Sequence, residues 1–139
     1  MTRVNVIPVR WLSDLWLLAE YRELPRCIKQ LINTDDAPEQ YVLGKGHMKW
    51  ARHHSAYLMR RYKELCDEME FRGFKVNYPY EELFTYCYNN VKNNDFQWYS
   101  VTEADIALNC QRLLERYREN PTVHKWTKRN KPEWLQCQQ

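Results

Sequence analysis

Apolar residues recur along much of this chain at steps of three and four, with polar stretches between the periodic runs, and that pattern predicts helices. Val4 to Trp11 lacks the period and contains Pro8, which predicts an extended arm. Ser13 is a side-chain cap for a helix beginning at Asp14, whose charge in the first turn suits the helix dipole. Leu18, Tyr21, Pro25, Ile28 and Ile32 then share a face, so a first helix is expected from Asp14 to about Leu31. Pro25 lacks an N–H and crowds the carbonyl of Tyr21, which predicts a kink there; the alternative is that the helix ends at Pro25.

A polar, acidic linker, Asn33 to Tyr41, comes next. Trp50, His54, Tyr57, Leu58, Tyr62, Leu65 and Met69 then keep the helical period, which predicts one long helix from His47 to Arg72. Gly73 is placed to end it, with Phe74 folding back on the last turn. Leu83, Cys87 and Val91 suggest a short helix over Glu81 to Val91, and the Tyr- and Asn-rich residues up to Trp98 read as loop. Thr102-Glu103-Ala104-Asp105 resembles a capping box, and Ile106, Cys110, Leu113 and Tyr117 continue it as a helix that stops before Pro121. The expected fold is an all-α, compact single domain over residues 1–139: three main helices, one short helix and the extended arm.

Composition agrees with a packed domain. The chain has 139 residues, 44% hydrophobic and 14% aromatic, which argues against disorder. Three glycines disfavour an architecture of strands and tight turns. No apolar run approaches the ~20 residues a membrane span needs. Arg3, Arg10 and Asp14 interrupt any leader-like segment, so a cytoplasmic address is expected. The five cysteines, Cys27, Cys66, Cys87, Cys110 and Cys137, are odd in number and form no C-x-x-C pair, which favours reduced thiols.

The net charge of +3 is unevenly spread. Lys45 to Lys63 carries six Lys or Arg and no acid, and Arg112 to Lys131 carries seven against Glu115 and Glu119. Acid gathers instead at Asp35, Asp36 and Glu39, and from Glu64 to Glu70. A basic face suits a polyanion; an ordinary solvated surface would look similar. The tail around Lys125 interleaves basic and aromatic residues, as a DNA-facing segment would. His47 and His54 are seven residues apart, about 10 Å along a helix, and no carboxylate sits among His47, His53 and His54, so no metal site is expected.

The first residues suggest chemistry. Removal of Met1 would leave Thr2 with a free α-amine of pKa about 7.7–8.0, partly unprotonated near neutral pH and able to attack an electrophilic carbon. Glu23 stands between Arg22 and Arg26 on the first helix, a carboxylate among phosphate-binding cations.

Five segments, MTRVN, AEYRELPR, LGKGH, RGF and ENPT-x-x-K, resemble the phage endonuclease V family of pyrimidine-dimer DNA glycosylases. The resemblance runs from Met1 to about Lys128 with an interrupted middle, and MTR followed by AEYRELPR is its specific part. It implies a DNA repair glycosylase with AP-lyase activity. The Thr2 amine would attack C1′ of the 5′ nucleotide of a cyclobutane dimer, and Glu23 would stabilise the resulting imine and move protons. Arg3, Arg22, Arg26, Arg112 and Arg116 would hold the DNA backbone, and a base would be flipped out of the stack. The resemblance implies no cofactor and no metal, double-stranded damaged DNA as partner, a monomer, and the host cytoplasm if the protein is phage-encoded.

Two departures stand out: Leu15-Trp16 replaces a Gln-His pair, and Val123 to Thr127 replaces a Tyr-rich stretch. Trp16 and Tyr21 are the candidate substrate-pocket residues, and with these departures the lesion recognised is open. The alternatives are the same chemistry on another damaged or modified base, a non-catalytic DNA-binding helical protein, or a protein-binding bundle.

Overall fold

The structure is a computed structural model and describes residues 4–136, without the side chain of Gln136. Among these residues it is helical, with no strand: α1 is Asp14–Lys29, α2 His47–His53, α3 Ser55–Arg72, α4 Tyr80–Asn90, α5 Glu103–Glu119 and α6 Glu133–Gln136. Single 3-10 turns occur at Val9–Trp11, Asn93–Asp95 and Pro121–Val123. No helix is long and apolar enough to cross a membrane.

The start and stop signals act as their chemistry predicts. Ser13 Oγ accepts from the Trp16 N–H and caps α1. Thr102 and Asp105 form a reciprocal capping box at the head of α5. Gly73 takes a left-handed φ of 89° at the end of α3, and the Phe74 N–H returns to the carbonyl of Met69 at 2.8 Å. Helix α1 runs through Pro25 to Lys29, so Pro25 is an interior residue and not the helix end. It stops two residues short of Leu31, which is exposed; Gln30 is extended and its carbonyl accepts from Arg52 Nε at 3.2 Å.

The long helix expected from His47 to Arg72 is two helices. Its apolar spacing continues across a break at His54, where φ is −104° and ψ is 46°. Side chains compete with the helical ladder there: His54 Nδ1 donates to the Trp50 carbonyl and the Ser55 hydroxyl to that of Arg52, both at 2.7 Å. The Gln97 N–H takes the His53 carbonyl, and the Tyr57 N–H turns to the Gln97 carbonyl. Hydrophobic period does not register this exchange of backbone partners. The final short helix, α6, is a further element that the apolar spacing does not predict.

The deep face of α1 is turned from the one its apolar spacing suggests. Leu17, Glu20, Leu24, Pro25, Cys27 and Ile28 are buried, so Pro25 and Ile28 lie on the deep face as expected, while Leu18 and Tyr21 flank it half-buried. They pack with Leu58, Tyr62, Leu65 and Met69 of α3, Leu83 and Cys87 of α4, and Leu113 of α5. Glu20 can lie on this face because Arg61 of α3 meets it through two hydrogen bonds, at 2.8 and 3.0 Å. Burial opposes the charged guanidinium, but the Glu20 charge and hydrogen bonds outweigh it and raise its pKa. Removing one partner would strand a buried charge at a cost of about 3–5 kcal/mol. The four described cysteines, Cys27, Cys66, Cys87 and Cys110, are free thiols.

The arm is buried along Val4 to Ile7, but it is not extended as far as Trp11: Val9–Trp11 close into a 3-10 turn, with the Trp11 N–H on the Pro8 carbonyl and the Leu12 N–H on the Val9 carbonyl. Along the buried stretch its backbone hydrogen bonds are made by side chains from distant parts of the chain. The Val4 N–H donates to His47 Nε2 at 3.1 Å, and the Tyr41 hydroxyl donates to the Val4 carbonyl at 2.9 Å. Asn109 Oδ1 accepts from the N–H groups of Val6 and Ile7 at 2.8 and 3.2 Å, and Arg61 donates to the Ile7 carbonyl. Asn5 bridges the two systems, donating to Glu20 at 2.9 Å and accepting from Asn109 Nδ2 at 2.8 Å.

Candidate active site

A cavity of about 610 Å³ opens between α1, α5 and the turn just after α5. Helix α1 presents Leu15, Trp16, Ala19, Arg22 and Glu23, spaced so that one helical face supplies all five. From the opposite wall come Leu113, Arg116 and Glu119 of α5, then Asn120, Val123 and His124. The cavity is thus apolar at the Leu15–Trp16 end and charged at the Arg22–Glu23 end.

The structure separates the two glutamates of α1. Glu20 is 2% exposed and both of its oxygens are engaged by Arg61 and Asn5, so it holds the fold. Glu23, one turn further on, lines the cavity and accepts from Arg26 Nη1 at 3.1 Å. Arg26 is well exposed, so this pair is weak and the guanidinium can leave it for another anion. Arg116 lies 3.6 Å from Glu119 with both side chains largely exposed, and the same argument applies.

Trp16 forms part of an aromatic wall. Its ring centroid lies 4.3 Å from that of His124, and it meets Trp126 edge-on at 6.3 Å. His124 Nδ1 is 2.9 Å from the Ser13 hydroxyl, which fixes the ring against the start of α1. Burial lowers the His124 pKa, so its imidazole is neutral at neutral pH. The tail is fastened beside it: the Trp126 indole donates to the Trp11 carbonyl, and Asp14 accepts from both the N–H and the hydroxyl of Thr127. The two departures noted in the sequence, Leu15-Trp16 and Val123 to Thr127, therefore meet in one wall.

The remaining candidate residues separate. Tyr21 faces a second groove of about 500 Å³ on the other flank of α1, with Arg26, Lys29 and Lys75. Its ring stacks on Tyr62 at 5.7 Å and its oxygen accepts from the Tyr78 N–H, so Tyr21 does not share a pocket with Trp16. Arg22 alone of the cations lines both spaces. Arg112, near Glu115, and Lys125, whose carbonyl accepts from the Asp14 N–H, are not among the residues of either lining. Thr2 and Arg3 lie outside the described residues.

Asn109, Glu20 and Arg61 are not legible as functional residues in the sequence, because they act on the arm across long separations. His124 is legible there only as part of the basic, aromatic tail. The one local hint is an odd polar residue on an apolar helix face, as Glu20 is on α1.

The metal expectation also changes. His47 is engaged by the Val4 N–H and the Val42 carbonyl, but His53 and His54 are joined by a carboxylate, Glu39, brought in by the linker. Spacing along one helix could not have shown it.

The family model described as pyrimidine dimer DNA glycosylase matches residues 1–82, more than half of the chain. The chain belongs to the pyrimidine dimer DNA glycosylase family. Its class is accordingly that of a DNA glycosylase in DNA repair, with lesion-bearing DNA as substrate. The match takes in the arm, all of α1, α2 and α3, and with them the Arg22–Glu23 end of the cavity.

Proposed function

We propose that this glycosylase removes a pyrimidine-dimer base through an imine formed by the α-amine of Thr2, and then cuts the strand as an AP lyase. The unprotonated amine would attack C1′ of the 5′ nucleotide, the glycosidic bond would break with its electron pair leaving on the base, and the sugar ring would open to a protonated imine. Glu23 would stabilise that cation, then take a proton from C2′ so that the 3′ phosphate leaves by elimination. Arg22 and Arg116 at the cavity, with Arg26 beside it, would bind the flanking phosphates; Arg3, Arg112 and Lys125 would extend the contact along the duplex. The catalytic unit is one chain with one duplex.

The observation that carries this reading is the fastening of the arm beside the cavity-lining carboxylate. Asn5 is bonded to Glu20, and Glu23 lies one turn beyond Glu20, about 4.5 Å of rise. Thr2 is three residues from Asn5, a reach of about 10 Å when extended. Borohydride present during turnover is expected to trap a covalent protein–DNA adduct at the α-nitrogen of Thr2. Base release without any adduct would mean that activated water is the nucleophile and the imine mechanism is wrong.

The Trp16–His124 wall favours a second reading, in which the same chemistry acts on another damaged or modified base. A flat indole against a neutral imidazole suits stacking on a base, and Leu15 adds no hydrogen-bonding group. Turnover on duplexes carrying a dimer, an oxidised or alkylated base, or a bare abasic site decides between the two. Preference for the dimer sinks the second reading.

A further inference from the structure

Glu39, His53 and His54 each offer one ligand atom, and the three atoms lie within 4.8 Å of one another, well away in sequence from the catalytic candidates. We propose that they form a binding site for a first-row transition-metal dication of the zinc type. This site would clamp the acidic linker onto the break between α2 and α3.

Each histidine is already oriented as a metal ligand requires. His53 Nδ1 lies 3.3 Å from Asp95 Oδ1, and since a carboxylate can only accept, Nδ1 carries the hydrogen and Nε2 is left as the lone-pair donor. Nε2 is the atom that faces Glu39, 3.8 Å from Oε1. His54 Nδ1 is 2.7 Å from the Trp50 carbonyl, again an acceptor only, which reserves His54 Nε2 for a ligand. Metal-binding histidines characteristically donate their second nitrogen to a carboxylate or a backbone carbonyl, and here one does each.

Distances suit the ion. Zinc ligands sit about 2.0–2.2 Å from the metal, so neighbouring donor atoms are roughly 3.4 Å apart. The His53–Glu39 separation is within a few tenths of that, and Glu39, with a side chain 83% exposed, can move to close the set around His54, which is buried. Two imidazoles and one carboxylate select zinc, nickel or copper over magnesium or calcium, which prefer oxygen. The fourth position would remain with water. Glu39 and Asp95 supply two negative charges locally, and Arg52, 3.8 Å from Asp95, returns one positive charge. One net negative charge therefore remains at the site, offsetting half of a dication's charge.

The consequence is mechanical. Asp95 already holds the linker at Thr34, whose hydroxyl donates to it at 2.5 Å. A metal would add a second tie at Glu39, two residues before Tyr41, which holds the arm at Val4. Zinc binding would thus stabilise the segment that fastens the arm.

The test uses untagged, metal-stripped, full-length protein titrated with Zn(II) by calorimetry and with Co(II) by visible absorption. One ion per chain is expected, with micromolar or tighter affinity, a rise in Tm on zinc addition, and no displacement by millimolar Mg(II). Glu39→Ala and His53→Asn should each weaken zinc binding by at least ~10-fold, a loss already typical of disturbing a ligand's supporting partners, and should abolish the rise in Tm. Glu39 is exposed, so that variant folds and keeps the test decisive even if His53→Asn does not. Failure to bind one ion per chain, displacement by magnesium, or equal binding by Glu39→Ala would each overturn the proposal. The last result would place the metal on the cysteines or elsewhere.

Discussion

Replacing Asn109 by Ala tests whether the arm is held by the network that side chain completes. Asn109 is fully buried and makes three hydrogen bonds to the arm, two from the N–H groups of Val6 and Ile7 and one to Asn5. Each is worth about 0.5–1.5 kcal/mol net, so losing three costs about 3 kcal/mol, and more if no water enters to satisfy the buried N–H groups. A loss of 3 kcal/mol is roughly a 100-fold increase in opening, because every 1.4 kcal/mol is a factor of ten. The global helical core keeps its other contacts, so the loss should fall first on the arm. Hydrogen exchange read by NMR should show the Val6 and Ile7 amides about 100-fold less protected, with much smaller changes at Leu58 and Leu65. Borohydride trapping should decline in parallel, because a mobile arm no longer presents the amine. Unchanged protection at Val6 and Ile7, or full trapping with both amides exposed, would refute the claim that this network positions the nucleophile.

Glu23→Gln keeps the shape of the cavity-lining side chain and removes its charge, so strand cleavage should fall by at least ~100-fold, the usual reach of general acid–base catalysis, while damaged DNA still binds; cleavage near the wild-type rate would remove Glu23 from the mechanism. Affinity for duplex should fall steeply with salt, and Arg22→Ala or Arg116→Ala should each flatten the log–log slope by about 0.9, one phosphate contact; a slope that is unchanged would place these arginines off the DNA. Acid should unfold the protein through an ion-pair network in which Arg72 meets Asp14 at 2.9 Å and Glu68 at 2.8 Å, and Arg129 meets Glu68 at 2.8 Å. Burial pushes the Glu68 carboxyl up, but hydrogen bonds from Arg129 and Arg72 outweigh it and hold it below its ordinary 4.5. Glu68 therefore stabilises the fold fully above about that pH, and the contribution is lost as pH falls through the lower folded value. Arg129→Ala should reduce the acid-sensitive part of stability in a denaturant series from pH 7 to pH 3; an identical pH profile would show the pair contributes nothing.

Local chemistry was legible in the sequence and distant pairing was not. Ser13, Thr102 and Gly73 mark helix ends through bonds made within a few residues, and each acts at the place its residue type predicts. Arg22 and Glu23 could be placed on one helix from their spacing, and the cavity lining puts them on a face with Trp16. The break at His54 was hidden because Trp50, His54 and Tyr57 keep helical spacing while the backbone changes partners to Gln97. The roles of Asn109 and Arg61 depend on an arm more than fifty residues away in each case, and no periodicity encodes that. Tyr21 is five residues from Trp16, about 140° around a helix of 3.6 residues per turn, so spacing already sets the two on different flanks of α1, as the separate linings show.

The arm's attachment to Asn109 sets an order of events during synthesis. Val6 leaves the ribosome early, but the side chain that receives its N–H is made about a hundred residues later. At about 5–20 residues per second this is an interval of roughly 5–20 s. Over that interval the arm lacks its partner on α5 and has only the groups made earlier, Glu20, Tyr41, His47 and Arg61, to hold it. Once α5 has formed, the arm closes into the core. The bond between Val6 and Asn109 is therefore among the last that synthesis permits, although it holds one of the first segments made.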